Sequence, residues 1–116
     1  MDKPLIVVNF KTYETAMGDS ALTLAKAMDN FTDRDFRMIA VVSAFDLSTI
    51  SNSVSSVEVW SQHLDPVGKG SHTGWLEPDL AIHHGAVGTI INHAEHKVSI
   101  EHVEKLMAML PSDFPI

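Results

Sequence analysis

A chain of 116 residues with 15 acidic and 8 basic side chains and a formal net charge of −7 has the size of one domain. Hydrophobic residues at 45% and charged residues at 20% are ordinary for a packed globular protein and exclude a disordered chain. No apolar run nears the roughly 18 residues of a membrane-spanning helix, the acidic balance speaks against nucleic acid as a partner, and the absence of cysteine removes disulfides, thiolate nucleophiles and zinc ribbons. The start, Met1-Asp2-Lys3-Pro4, has no small-residue cleavage site, so the expectation is a cytoplasmic protein without a signal peptide or a membrane partner.

The first apolar run, Leu5-Ile6-Val7-Val8, reads as a strand leading into Asn9-Phe10-Lys11. After Gly18, Asp19 or Ser20 can cap a helix carrying Ala21, Leu22, Leu24, Ala25 and Met28 and ending near Phe31. Met38-Ile39-Ala40-Val41-Val42 is a second strand, running into Ser43. Asp46 can cap a short helix with Leu47, Ile50 and Val54 at helical spacing. Val57-Glu58-Val59-Trp60 alternates and predicts a third strand, followed by Gln62-His63-Leu64-Asp65. Glu77-Pro78 looks like a first helical turn, where proline is tolerated, with Gly85 as its stop. Ala86-Val87-Gly88-Thr89-Ile90-Ile91 predicts a fourth strand leading into Asn92-His93-Ala94-Glu95. Ser99 can cap a last helix whose Val103, Leu106, Met107 and Leu110 follow the i, i+3, i+4, i+7 rule before Pro111.

Three of the four runs are nearly continuous, as in parallel strands buried on both faces, and the order β-α-β-α-β-α-β-α implies right-handed crossovers in an α/β fold. In such folds the carboxyl ends of the strands open on one face, where ligands bind. Lys11, His93 and Glu95 are thereby expected at one site although 82 residues separate Lys11 from His93. Taken singly, Lys11 could be a solvated charge, His93 a half-buried hydrogen-bonded ring, and Asn9 and Asn92 turn residues that satisfy local backbone groups. Against those readings, the first and fourth strands make the same transition, from an apolar run to Asn plus an ionisable group.

All seven histidines fall between His63 and His102, which raises the question of a metal. No H-E-x-x-H is present, His83 and His84 are adjacent and would point about 100° apart on a helix, and His83, His84 and His102 read as helix-surface residues. No metal is expected. Val67-Gly68-Lys69-Gly70 is neither G-x-G-x-x-G nor a Walker sequence, so a phosphate loop is not indicated.

The run Asn9-Phe10-Lys11-Thr12-Tyr13 resembles the opening of triosephosphate isomerases, particularly the archaeal type. The resemblance continues through Gln62-His63-Leu64-Asp65-Pro66, Gly70-Ser71-His72-Thr73-Gly74 and Gly85-Ala86-Val87-Gly88-Thr89 to Asn92-His93-Ala94-Glu95. It implies a (β/α)8 TIM barrel. Such a barrel takes about 250 residues, so residues 1–116 are expected to be its first four βα units, the N-terminal half of a TIM-barrel domain.

The implied chemistry interconverts dihydroxyacetone phosphate and glyceraldehyde 3-phosphate through an enediolate, the glycolytic and gluconeogenic isomerase reaction, without a cofactor. By resemblance, Lys11 and His93 are the catalytic groups. Lys11, helped by Asn9, binds the phosphorylated triose. His93 acts as a neutral imidazole, a role known for this family, and a helix expected soon after His93 would disfavour its imidazolium form. Glu95 is a supporting carboxylate near Lys11, and Thr73 matches an oligomer-contact position, which implies a homo-oligomer. Ala94 stands where the family usually has serine, and Lys97 where it usually has arginine, whose bidentate fork lysine lacks.

The family's glutamate base, lid loop and late phosphate-gripping loops find no counterpart in these residues, so little or no turnover is expected of this chain alone; Asp65 is the only other base with any claim. A half-barrel should also leave its first and fourth strands as open edges and its inner sheet face as exposed apolar surface. Three forms are compatible with these expectations: part of a longer isomerase, a half-barrel completed by a second copy or a complementary half-barrel, or an anion-binding α/β module without catalysis.

Overall fold

The computed structural model describes residues 3–31 and 35–116. Three parallel strands form the sheet: β1 (Leu5–Asn9), β2 (Arg37–Val42) and β3 (Glu58–Ser61), in the order β1-β2-β3. The register places Leu5, Val7 and Asn9 beside Arg37, Ile39 and Val41, and Ile39 and Val41 beside Glu58 and Trp60. Because side chains alternate across a strand, these residues share one face, and Val8, Ala40, Val42 and Val59 share the other.

The second face carries the helices. Helix α1 (Asp19–Asp29) buries Ala21, Ala25 and Met28, and α2 (Leu47–Ser51) buries Leu47 and Ile50. With Phe10, Ala40, Val42, Val57, Val59 and Ala86 they make the main core. The small side chains at Ala21, Ala25 and Ala40 let helix and sheet approach closely. The capping at α2 differs from expectation: the Asp46 carboxylate accepts the Gly18 N–H across the gap between α1 and α2 at 3.1 Å and makes no cap hydrogen bond of its own. Val54 falls beyond the end of α2, and α1 stops two residues before Phe31.

Helix α3 (Pro78–His83) starts as its sequence suggests, with the Glu77 carboxylate accepting the Leu80 N–H, and ends at Gly85, φ 102°. A Cβ at Gly85 would run into Ser51, so both conformation and space require glycine there. Helix α4 (Ile100–Met109) is capped by Ser99 Oγ, which accepts the His102 N–H at 3.0 Å. It is anchored by fully buried Leu106, with half-buried Val103 and Leu110; Met107, expected on the same face, is exposed.

The fourth run pairs with β3 but does not become a regular strand. Val87 donates to Val59 O, Ser61 to Gly88 O and Ile90 to Ser61 O, each at 3.0 Å, and Ser61 and Thr89 form one parallel bridge. Two features shorten it. On its outer side the Thr89 N–H is taken by Pro115 O at 3.1 Å, and Asn92, at φ 59°, turns the chain away. The expected open edge at this end of the sheet is thus partly covered by residues near the chain's C-terminus.

The inner face also departs from expectation. Ile39 and Val41 are buried beneath Trp60, with Ile90 packed against them. The Trp60 indole lies directly on Gly88, where any Cβ would sit inside van der Waals contact with the ring. What remains open is β1, where Leu5 and Val7 are each about half exposed at 50% and 49%. No helix among the described residues is long and apolar enough to cross a membrane.

Candidate active site

β1 ends at Asn9, Phe10 dives into the core, and Lys11 is forced into the left-handed region at φ 54°. For a residue with a Cβ this conformation costs on the order of 1–2 kcal/mol, and three contacts hold it. Its N–H donates to Asn9 Oδ1 at 2.9 Å, its carbonyl accepts from Gln62 Nε2 at 2.8 Å, and its ammonium donates to Glu95 Oε2 at 3.0 Å. The Glu95 hydrogen bond is the main cause of a raised Lys11 pKa and outweighs the opposing effect of partial desolvation. The lysine is therefore a fixed cation, and its Nζ also stands 5.9 Å from the centre of the Tyr13 ring.

Glu95 reaches Lys11 because Asn92 reverses the chain after the fourth run. Asn92 Oδ1 accepts the Val98 N–H at 3.0 Å and closes the loop that carries residues 93 to 97. Within that loop the Glu95 N–H donates to His93 Nδ1 at 3.0 Å. Glu95 Oε1 also lies 3.5 Å from Nδ1, which would suit a protonated nitrogen, but a backbone N–H can only donate and it is closer. Nδ1 is therefore placed as an acceptor, an arrangement that suits the tautomer carrying its proton on Nε2. The helix expected after His93 is α4, which begins at Ile100, beyond a turn at residues 94–96. A peptide N–H of that turn, rather than a helix terminus, faces Nδ1.

These residues border a cavity of ≈ 1080 Å³ at the carboxyl ends of the strands. Asn9, Lys11, His93 and Glu95 line it together with Ser43, Gln62, His63 and Thr73. Lys11, His93 and Glu95 are thus brought together, Asn9 joins through the Lys11 backbone, and exposed Thr73 stands on the wall beside Trp75. Lys97 is exposed, and Ala94 leaves no hydroxyl in the loop. Gln62 stands in the sequence as part of a polar strand exit and of the run Gln62-His63-Leu64-Asp65-Pro66, but nothing in its spacing tells that it holds Lys11.

Asp65 is poorly placed to act as a base. Its Oδ1 is paired with His63 Nε2 at 2.8 Å and its Oδ2 accepts the Leu76 N–H at 2.8 Å. Burial pushes the His63 pKa down, against the pull of Asp65. His102, expected on the helix surface, is instead turned inward: its Nε2 lies 3.0 Å from Leu64 O and its ring 5.4 Å from that of His63.

The family model for triosephosphate isomerase matches residues 4–111. The chain belongs to the triosephosphate isomerase family. It is 38% identical to a triosephosphate isomerase of Archaeoglobus fulgidus over 101 residues, 86% of this chain and 45% of that protein. It is 35% identical to one of Methanothermus fervidus over 111 residues, 95% of this chain and 50% of that protein. The chain therefore spans about half the length of the curated triosephosphate isomerases it matches. The crystal structure of triosephosphate isomerase from Bartonella henselae superposes with a TM-score of 0.72 at 23% identity, over 80% of this chain and 39% of that one. The fold is accordingly that of a TIM-barrel segment of about half length.

Proposed function

We propose that this chain supplies the electrophilic side of a triosephosphate isomerase site. The observation that carries the reading is the union of Lys11, Glu95 and a His93 whose Nδ1 accepts the Glu95 N–H on one cavity wall, although Lys11 and Glu95 stand 84 positions apart. Lys11 attracts the anionic triose phosphate, and Asn9 with Gln62 fixes where its ammonium stands. His93 Nε2–H donates to the substrate carbonyl oxygen and stabilises the negative charge that develops there as the enediolate forms. The proton removed from C1 of dihydroxyacetone phosphate passes to a carboxylate base and returns at C2. Glu95, committed to Lys11, and Asp65, committed to His63 and Leu76, do not serve as that base. The base belongs to further βα units, joined to this half-barrel in the same chain or docked as a second chain. The half-exposed apolar β1 favours such docking, and Thr73 is the contact assigned to a second subunit.

Two experiments test this. A phosphorylated hydroxamate that mimics the enediolate should raise the Tm of the chain, and Lys11→Ala should abolish the shift; a null titration overturns the reading. The chain alone should show negligible turnover. Mixed with a complementary C-terminal half it should gain isomerase activity that His93→Gln lowers by about 100-fold or more. Full turnover by the isolated chain, or activity indifferent to His93, would count decisively against it.

A further inference from the structure

The most buried polar cluster near the cavity is not the one formed by Lys11. His63, from the chain leaving β3, and Asp65, two residues on, are 8% and 9% exposed, and His102 in the first turn of α4 closes over them. His63 Nε2 is 2.8 Å and His102 Nε2 3.9 Å from the same oxygen, Asp65 Oδ1. One ligating atom from each of the three lies within 4.8 Å of the others. A four-coordinate zinc ion with bonds of about 2.0–2.2 Å sets neighbouring ligand atoms about 3.3 Å apart, so the two separations from Asp65 Oδ1 bracket the required value.

The surroundings hold these donors in place. Asp65 Oδ2 accepts the Leu76 N–H, which leaves Oδ1 directed at the two imidazoles. Ser61 Oγ donates to His63 O at 2.6 Å, and the Ser99 cap fixes the backbone of His102. The His96 ring stacks on His63 with centroids 4.0 Å apart. His63, Asp65 and His96 all line the main cavity, which gives an ion a route in.

We propose that His63, Asp65 and His102 form a binding site for a divalent transition-metal ion, with its remaining coordination position toward the cavity. Two imidazoles and one carboxylate favour Zn²⁺ or Co²⁺ over Mg²⁺ and Ca²⁺, which require mostly oxygen. Binding through His63 Nε2 and His102 Nε2 exchanges their hydrogen bonds to Asp65 Oδ1 and Leu64 O for coordinate bonds, the ring proton of each moving to its Nδ1. The site pins α4 to the end of β3 and stands independently of the isomerase reading.

The test is titration of the full metal-free chain with Zn²⁺ in competition with a chromophoric chelator, and with Co²⁺ followed by its visible absorption. The expected result is saturable binding of one equivalent, weakened about tenfold or more by His102→Gln and by Asp65→Asn and unchanged in the double variant His83→Gln, His84→Gln. Long-range ¹⁵N spectra of the unmodified chain should show the His63 and His102 ring signals shifting together on Zn²⁺ addition, which keeps the test open should a variant not fold. Absence of one-to-one binding, binding lost with His83 and His84, or unmoved His63 and His102 signals would overturn the proposal and leave the cluster a hydrogen-bond network alone.

Discussion

Lys11 is gripped at its amide, its carbonyl and its ammonium, by Asn9, Gln62 and Glu95 respectively. Removing the carbonyl grip should matter more for function than for stability. Gln62→Ala is expected to cost about 1 kcal/mol in urea unfolding, yet to weaken binding of the enediolate mimic clearly, because an unheld Lys11 can leave its left-handed conformation. Equal affinity in the variant would refute that role. For His93, long-range ¹⁵N spectra at neutral pH should show the proton on Nε2; a proton on Nδ1 would contradict the Glu95 N–H geometry. Lys11, His93 and Glu95 were legible in sequence because ionisable residues directly follow apolar runs, and parallel topology gathers strand ends. His102 was misread because helical spacing tells which residues share a side but not what that side meets. The helix after His93 is the one Ser99 caps, and it begins at Ile100 because Asn92 first diverts the chain into a turn.

At the level of elements, both ends of α3 and the start of α4 followed local rules: Glu77 with Pro78, Gly85 and Ser99 each stand where their chemistry suggested, whereas α1 is preceded by Gly18 in the cap position rather than by Asp19 or Ser20. The fourth strand failed as a strand because apolar composition does not reveal what pairs on each side of it, and Pro115 lies far along the chain from Thr89. Its glycine has a tertiary cause instead. Gly88→Ala should destabilise the fold by about 1–3 kcal/mol through overpacking against Trp60, and Trp60→Leu should relieve part of that loss in a double-mutant cycle; simple additivity would reject the contact as the cause.

Acid sensitivity belongs to the junctions between elements. Burial works against ionised Asp29, but the N–H groups of Val57, Ser55 and Ser56 prevail and hold its pKa below the usual value. Glu58 is likewise lowered, chiefly by its two hydrogen bonds from Arg37, each 2.7 Å. Both native pKa values lie below the unfolded ones, so this stabilisation is complete above about pH 4–4.5 and is lost as pH falls through the native values. The Asp29→Asn variant should show a shallower loss of Tm over that acidic window; an unchanged slope would argue against the hydrogen bonds that the Ser55, Ser56 and Val57 N–H groups donate to Asp29.

For the whole molecule, sequence length against a full barrel implied a half-barrel, and the matched relatives are about twice as long as this chain. The expectation of a wholly open inner face was too simple, since it counted strands without noticing that one of them carries an indole large enough to lie across its neighbours. On the inner sheet face the β1 flank keeps Leu5 and Val7 about half open to water, so association through the sheet should proceed at that flank. Light scattering should detect oligomers that Val7→Lys disperses; a monomer at all concentrations, or assembly unaffected by the charge, would dismiss β1 as the contact.

The two tryptophans sit on opposite sides of this division, Trp60 only 8% exposed over the inner strands and Trp75 56% exposed on the cavity wall. Water-soluble collisional quenchers will reach one and spare the other. Emission from Trp75 thus reports what enters the cavity, and emission from Trp60 reports what closes against the sheet. A single unlabelled sample can separate the arrival of a ligand from the completion of a barrel, two events that an activity assay would always merge.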